Sequence, residues 1–281
     1  MPLMLQAILI LGGTGLVFAV FIALANMKLW VWTDPRIEIV AQMLPQANCG
    51  ACGLPGCHAF AEQAVEGKVE PSKCTVSNAD QLAGIAGFLG VDAGEATKRV
   101  ARLMCAGGTD VAVQKATYRG LDTCAAAAAV AGGGKGCAWG CLGLNDCGHA
   151  CTFGAIRMSA TGLPVVDVNK CTSCGDCVEA CPKGLFEIRS ITDNLFVQCK
   201  NLVAGDVALE QCQVACTACG KCALDSAPGL ISVASGLAVI DYERIAEAEE
   251  RAISRCPTGA IVWLQGAQFA RVAALRSVEA A

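Results

Sequence analysis

The stretch that decides the fold is Cys171-Thr-Ser-Cys174-Gly-Asp-Cys177-Val-Glu-Ala-Cys181-Pro182. Its spacing, C-x2-C-x2-C-x3-C-P, is the run of cysteines that binds 4Fe–4S clusters. Three close thiolates on a tight loop hold three irons of one cluster, while the fourth cysteine of such a run reaches a neighbouring cluster. A zinc site would instead show pairs of cysteines separated by a longer loop. The run therefore predicts an iron–sulfur domain.

A second run with wider spacing, Cys137-x3-Cys141-x5-Cys147-x3-Cys151, precedes the first. If each run gives its fourth cysteine to the other cluster, two 4Fe–4S clusters result. One is expected on Cys137, Cys141, Cys147 and Cys181, and the other on Cys151, Cys171, Cys174 and Cys177. Clusters that share two runs in this way lie close together, so electrons can pass between them. Residues 136–192 are thus predicted to form a two-cluster, bacterial-ferredoxin-like α+β domain.

A separate module is expected at residues 34–80. It contains Cys49, Cys52, Cys57 and Cys74, which fit one self-contained 4Fe–4S cluster. Residues 58–68 are expected to form a helix that returns the chain to the last of these cysteines. Zinc is the main alternative occupant. With four cysteines available, His58 is expected to begin the helix and not to bind a metal.

Residues 193–265 repeat the ferredoxin theme in a reduced form. The triplet Cys216-x2-Cys219-x2-Cys222 is followed by Ser226 where another cysteine is expected, and residues 240–255 contain no cysteine before Cys256-Pro257. One cluster is therefore predicted on Cys216, Cys219, Cys222 and Cys256. The neighbouring cluster, which would need Ser226 and a triplet near residues 245–251, is predicted to be lost.

Four cysteines remain outside these sets: Cys105, Cys124, Cys199 and Cys212. They are either buried free thiols, which are common core residues, or the ligands of a fifth cluster gathered from four distant points. The sequence therefore predicts four 4Fe–4S clusters and leaves a fifth open.

Composition narrows the possible functions. The chain has 20 cysteines in 281 residues, and its net charge of −4 argues against a nucleic-acid partner. Disulfide scaffolds are usually small, secreted and loop-rich. This chain is larger and its cysteines are closely spaced, so they are not interpreted as disulfides. No Gly-x-Gly-x-x-Gly or Walker pattern is present, so Gly132-Gly133-Gly134-Lys135 is interpreted as a flexible joint. With two histidines a Ser-His-Asp arrangement is not expected, and His149 is interpreted as a surface residue.

Residues 3–25 are uncharged and apolar over about the 20 residues that a helix needs to cross a bilayer. A signal peptide would have a positive start and a shorter apolar stretch, so a transmembrane anchor is predicted. Lys28 and Arg36 follow the helix, which places the rest of the chain in the cytoplasm by the positive-inside rule. Trp30 and Trp32 lie where interfacial aromatics occur.

The predicted organisation has six parts. A transmembrane anchor (residues 1–33) and the four-cysteine module (34–80) come first. A helical, Ala/Gly-rich connector (81–135) includes a helix over residues 93–104 and a joint over residues 125–134. The two-cluster domain (136–192), a degenerate one-cluster ferredoxin-like domain (193–265) and a C-terminal tail (266–281) with a short helix complete the chain.

This order of parts resembles the B subunit of the Rnf electron-transport complex. The resemblance rests on Asn48-Cys-Gly-Ala-Cys-Gly-Leu-Pro-Gly-Cys57 with Cys74, the tandem ferredoxin runs, Cys105-Ala-Gly-Gly, Tyr118-Arg-Gly, Cys124-Ala-Ala-Ala and Cys137-Ala-Trp-Gly-Cys-Leu-Gly. It fails at Ser226 and residues 245–251, where longer relatives would carry further ligands. Their cluster number is therefore not transferred to this chain.

The resemblance implies a membrane-anchored electron carrier in an ion-translocating ferredoxin:NAD oxidoreductase. Its implied partners are soluble ferredoxin, the flavin- and NAD-binding subunit and the membrane subunits. No catalytic residue or complete active site is expected on this chain alone. Two alternatives stay open: the same kind of carrier serving a reducing system for a redox regulator or nitrogenase, and a non-redox, zinc-binding membrane scaffold.

Overall fold

A computed structural model describes residues 2–29, 33–94 and 97–269. Helix α1 (Pro2–Leu29) is apolar on every side, and its stretch Ile8–Lys28 is long and apolar enough to cross a membrane. None of that stretch is buried against the rest of the chain. An exposed apolar surface of this size marks a contact with lipid or protein. The predicted interfacial pair, Trp30 and Trp32, lies outside the described residues.

The four-cysteine module is built from three helices, α2 (Pro35–Met43), α3 (Cys57–Val65) and α4 (Ala79–Leu89). Helix α4 begins at a capping box, in which Asn78 and Gln81 satisfy each other's backbone N–H groups. The three helices bury Val40, Phe60 and Ile85 in one small hydrophobic core. Helix α3 overlaps the helix predicted over residues 58–68, beginning one residue earlier and ending at Val65, which confirms a helix at this place.

Strand β1 (Arg99–Leu103) corrects the helix predicted over residues 93–104. It pairs antiparallel with β4 (Phe186–Ser190), with Ala101 opposite Ile188. Arg, Ala and Leu favour helix in isolation. Here the strand partner supplies the backbone hydrogen bonds and the core covers the apolar side chains, so tertiary contacts decide the conformation. The connector is thereby joined to the two-cluster domain.

Both ferredoxin-like regions are small α+β units of two-stranded antiparallel sheets. In the first, β2 (Ile156–Met158) pairs with β3 (Pro164–Val166). In the second, β5 (Leu195–Val197) pairs with β8 (Ile261–Trp263), and β6 (Ile231–Ala234) pairs with β7 (Leu237–Ile240). Short helices lie between the strands: α5 (Cys124–Ala129), α6 (Asp146–Ala150), α7 (Asp176–Glu179), α8 (Asp206–Leu209) and α9 (Lys221–Leu224).

Two further hydrophobic clusters lie under these sheets, and both include cysteines among their buried residues. Gln268, at the start of the tail, is hydrogen-bonded to β1 beside one of these hydrophobic clusters. Its side-chain oxygen accepts from the N–H of Leu103 at 2.8 Å, and its amide nitrogen donates to the Leu103 carbonyl at 3.0 Å. The helix predicted for the tail lies largely outside the described residues.

Candidate iron–sulfur sites

The first site lies in the module of α2, α3 and α4. Cys49, Cys52, Cys57 and Cys74 line one pocket of about 350 Å³, counting the part open to solvent. The Asn48 side chain accepts a hydrogen bond from the Cys57 N–H at 2.9 Å, and the Ser77 hydroxyl donates to the Cys74 sulfur at 3.1 Å. These contacts hold the loop around the pocket.

His58 lies outside that pocket, as expected. Its side chain is 62% exposed, and its Nδ1 lies 3.5 Å from the Glu62 carboxylate one helical turn away. His149 is also exposed, in agreement with its interpretation as a surface residue.

The second site gathers Cys151 with the loop Cys171, Cys174 and Cys177. Burial raises the pKa of Cys177 to about 12, and the neighbouring charges of Cys171, Cys174, Cys147 and Cys151 act in the same direction. Backbone N–H groups point at two of the sulfurs: Ala155 donates to Cys151 at 3.3 Å, and Ala101 donates to Cys171 at 3.4 Å. This is the set that the sequence predicts.

The third site differs from the prediction. Its pocket, of about 360 Å³, is lined by Cys124, Cys141, Cys147 and Cys181. Cys124 takes the place predicted for Cys137. The Asp146 carboxylate fixes this arrangement, because it accepts from the N–H of Cys124 at 2.8 Å and of Ala125 at 3.0 Å while preceding Cys147 in the chain. Helix α5 therefore starts beside the second cysteine run, and its first residue enters the pocket.

A fourth pocket, of about 340 Å³, collects four cysteines from separate segments: Cys105, Cys137, Cys199 and Cys212. All four are buried, with 6% to 9% of their surface exposed. Three of them are cysteines that the sequence leaves unassigned, and Cys137 is the one displaced from the predicted third set.

The last pocket, of about 350 Å³, is lined by the predicted set Cys216, Cys219, Cys222 and Cys256. Burial opposes ionisation of Cys256, but hydrogen bonds from the backbone at Ile261 and Thr258 outweigh it and hold its pKa below the usual value. Ser226 turns back onto the chain and donates to the Ala223 carbonyl at 3.1 Å. Residues 242–247 and 250–253 form 3-10 helices where a second triplet would stand.

Burial dominates the acidity of four further thiols. It raises the pKa of Cys141 and Cys147 to about 12, and that of Cys199 and Cys222 to about 11. A free thiol of this kind stays protonated at neutral pH, so metal binding has to displace its proton.

The donor sets consist of cysteines alone. All twenty cysteines lie among the described residues. Within the described ranges, no three histidine, cysteine or acidic side chains are close enough together to hold a single metal ion. A 4Fe–4S cluster takes four thiolate ligands, and the run from Cys171 to Cys181 has the spacing that such clusters use.

Two residues that line the fourth pocket could not be identified from the cysteine motifs. Lys135, interpreted from sequence as part of a flexible joint, lines the pocket and donates to the carbonyls of Gly107 and Cys141, both at 2.5 Å. Gly107 lies so close to the sulfurs that a Cβ there would be 3.1 Å from the Cys212 sulfur. Only the folded chain brings these residues together.

Comparisons with known proteins match two of these regions to iron–sulfur families. The family model for an Fe–S cluster domain matches residues 44–76, and the model for the 4Fe–4S dicluster domain matches residues 136–186. The chain is 41% identical over 262 residues to the B subunit of the Na(+)-translocating ferredoxin:NAD(+) oxidoreductase complex of Acetobacterium woodii, covering 92% of this chain and 78% of the relative.

Two further relatives match over most of their length. The B subunit of the ion-translocating oxidoreductase complex of Methanosarcina acetivorans is 35% identical over 258 residues, covering 92% of this chain and 97% of the relative. The B subunit of the proton-translocating ferredoxin:NAD(+) oxidoreductase complex of Clostridium ljungdahlii is 35% identical over 263 residues, covering 93% of each chain.

Proposed function

Because the chain belongs to the family of B subunits of the Rnf-type ion-translocating oxidoreductases, we propose that it relays electrons between soluble ferredoxin and the other subunits of such a complex. The observation that carries this function is the collection of cysteines in sets of four, with pockets of nearly equal volume. Each set has the donors that a 4Fe–4S cluster requires. An iron–sulfur cluster supplies one-electron chemistry when bound.

Four ligand sets support this relay. They are Cys49, Cys52, Cys57 and Cys74; Cys151, Cys171, Cys174 and Cys177; Cys124, Cys141, Cys147 and Cys181; and Cys216, Cys219, Cys222 and Cys256. The protein contributes the thiolates, the backbone N–H groups that point at their sulfurs, and apolar walls such as Phe60 that limit access of water. These are the features through which a protein sets cluster potential.

The relay is proposed to sit on the cytoplasmic face of the membrane. Helix α1 is the anchor, and the basic residues Lys28 and Arg36 lie at and beyond its C-terminal end, on the side that the positive-inside rule assigns to the cytoplasm. The anchor (1–33), the module (34–80), the connector (81–135), the two ferredoxin-like domains (136–192 and 193–265) and the tail (266–281) are the proposed units.

The proposed partners follow from the complexes for which the relatives are named. Two of those names state electron transfer between ferredoxin and NAD(+). Soluble ferredoxin, a flavin- and NAD-binding subunit and membrane subunits are therefore proposed for this chain. No catalytic residue is assigned to it, because a relay exchanges electrons without making or breaking bonds in a substrate.

The test uses membranes that contain the whole complex. With reduced ferredoxin as donor, we expect NADH formation and ion uptake in membranes with the intact chain, and loss of both when Cys174→Ala removes a ligand. Ser226→Ala is the matched control, since Ser226 contacts only nearby carbonyls. Unchanged NADH formation with Cys174→Ala, or zinc in place of iron in the purified chain, would contradict the proposed function.

A further inference from the structure

We propose that Cys105, Cys137, Cys199 and Cys212 bind a fifth 4Fe–4S cluster, which connects the two ferredoxin-like domains. This inference rests on the proposed electron-carrier function and extends it to a site that no ferredoxin motif encodes. Three of the four cysteines lie two or three residues beyond β1, β5 and α8, and Cys137 follows the glycine-rich 3-10 turn Ala131–Gly134. They nevertheless face one pocket.

The lining of this pocket differs from that of an ordinary core. Free buried cysteines usually act as small apolar side chains. Here, four buried thiols share their pocket with polar residues, namely Lys135, Gln198 and Asn201. Together they supply the four thiolate ligands that hold a 4Fe–4S cluster and a nearby positive charge, which favours ionised thiolates.

Backbone N–H groups already point at two of the four sulfurs. Asn201 donates to the Cys199 sulfur at 3.5 Å, and Cys216 donates to the same sulfur at 3.4 Å. Cys141 donates to the Cys105 sulfur at 3.5 Å. Such bonds stabilise a thiolate, and hydrogen bonds to sulfur are one of the means by which proteins adjust cluster potential.

Lys135 and Gly107 shape the pocket wall. The Lys135 ammonium is held by the carbonyls of Gly107 and Cys141, so its charge stays at the pocket. A Cβ on Gly107 would lie 3.1 Å from the Cys212 sulfur and 3.6 Å from the Cys105 sulfur. A glycine at this position therefore lets the backbone approach the sulfurs.

The position of the pocket gives it a role. Cys141 belongs to the third set and Cys216 to the last, so the fifth set is hydrogen-bonded to both of its neighbours. A ferredoxin-type one-electron donor supplies the electron. When one electron passes through this position, the cluster site on one side loses one electron and the cluster site on the other side gains one. No proton or bond is exchanged. On assembly, four thiols release four protons as their sulfurs bond to four supplied irons, two ferrous and two ferric, which four supplied sulfides bridge.

The experiment counts iron and acid-labile sulfide in the full chain, purified anaerobically in detergent and supplied with equal amounts of ferrous and ferric iron and with sulfide. Five clusters correspond to about twenty irons per chain. We expect the double variant Cys199→Ala Cys212→Ala to retain about sixteen irons and to lose one dithionite-reduced EPR component. The other four components should remain, with that of the Cys216 set shifted because its N–H loses an acceptor. Ala208→Ser is the control, because it places a hydroxyl in the same core at a fully buried position and leaves every thiol in place.

Two results would overturn the fifth site: about sixteen irons in the wild-type chain, or about twenty in the double variant. The wild-type count decides the question even if the double variant does not fold. An EPR-active chain with about sixteen irons would refute the fifth site alone. A chain with zinc and no EPR signal would refute the electron carrier itself.

Discussion

The backbone N–H of Cys216 donates to the sulfur of Cys199 at 3.4 Å, and both residues are buried. This bond joins the last predicted ligand set to the pocket of Cys105, Cys137, Cys199 and Cys212. At the opposite side of that pocket, the N–H of Cys141 donates to the sulfur of Cys105 at 3.5 Å. Two cluster sites that share such a bond do not respond independently to mutation.

Because each of these hydrogen bonds connects two ligand sets, a single mutation in one set should alter one particular neighbouring set. Cys199→Ala should change the EPR spectrum and midpoint potential assigned to the Cys216 set, because the N–H of Cys216 loses its sulfur acceptor. Cys105→Ala should instead change those of the Cys141 set. Each variant is the control for the other in EPR-monitored redox titrations. Both variants also remove a ligand of the proposed fifth cluster, so the comparison concerns only the two neighbouring sets: if both variants disturbed the spectrum of the same neighbouring set, the hydrogen bonds would not be the cause.

The ligand set predicted from sequence for the third site contains Cys137, whereas the set in the structure contains Cys124. If the third cluster uses Cys137, Cys124→Ala leaves the iron content unchanged. The pocket lined by Cys124, Cys141, Cys147 and Cys181 predicts a loss of about four irons per chain. Ala129→Ser, at an exposed position at the end of the same helix, is the matched control. An unchanged iron count in Cys124→Ala would return Cys137 to the third set.

Asp146 is expected to stabilise that set through the start of α5. Its carboxylate accepts from the N–H groups of Cys124 and Ala125. Loss of a capping side chain of this kind costs about 0.5–2 kcal/mol. Asp146→Ala should therefore unfold at lower denaturant concentration and lose iron faster to a chelator, whereas Asp146→Asn should keep part of the effect. Equal rates of iron loss in wild type and Asp146→Ala would argue against this role.

Arg102 is a buried cation near the second site. It is 1% exposed, its Nη1 donates to the Gly266 carbonyl at 2.6 Å, and its guanidinium lies 5.4 Å from the ring centre of Phe196. Burial lowers its pKa, while the charge of Cys171 acts in the opposite direction. A nearby positive charge favours the reduced, more negative state of a cluster. Arg102→Met should therefore lower the midpoint potential of the Cys171 set.

Arg102→Lys is the control for that effect, since it keeps the charge in nearly the same volume. Redox titration followed by EPR measures both variants. A potential in Arg102→Met equal to that of the wild type would mean that Arg102 serves packing alone.

The sequence was sufficient for sites whose ligands follow one another in the chain. Cys49, Cys52 and Cys57 on one loop, or Cys171, Cys174 and Cys177 on another, are held together by local geometry, so spacing alone identifies them. The loss of a ligand at Ser226 stays a prediction, and in the structure the Ser226 hydroxyl donates to carbonyls of its own loop.

Sequence reasoning failed where a ligand arrives from a distant segment. Cys137 precedes Cys141 by four residues, yet it faces a different pocket, and Cys124 replaces it because Asp146 holds the start of α5 there. Residues 99–103 form a strand because β4 provides a partner. Neither outcome depends on local propensity, so neither could be read from spacing or composition.

Cys219 predicts which cluster exchanges most readily with solvent. It is exposed, whereas the other nineteen cysteines, all among the described residues, are buried or half-buried. Oxidants and chelators reach an exposed site before a buried one, because no protein has to open. Limited oxidation of the intact chain with a chelator present should therefore abolish first the EPR component that Cys219→Ala removes. The component removed by Cys199→Ala Cys212→Ala should persist longest, since all four of its ligands are buried. Loss in the reverse order would mean that local opening, and not static exposure, controls access to the clusters.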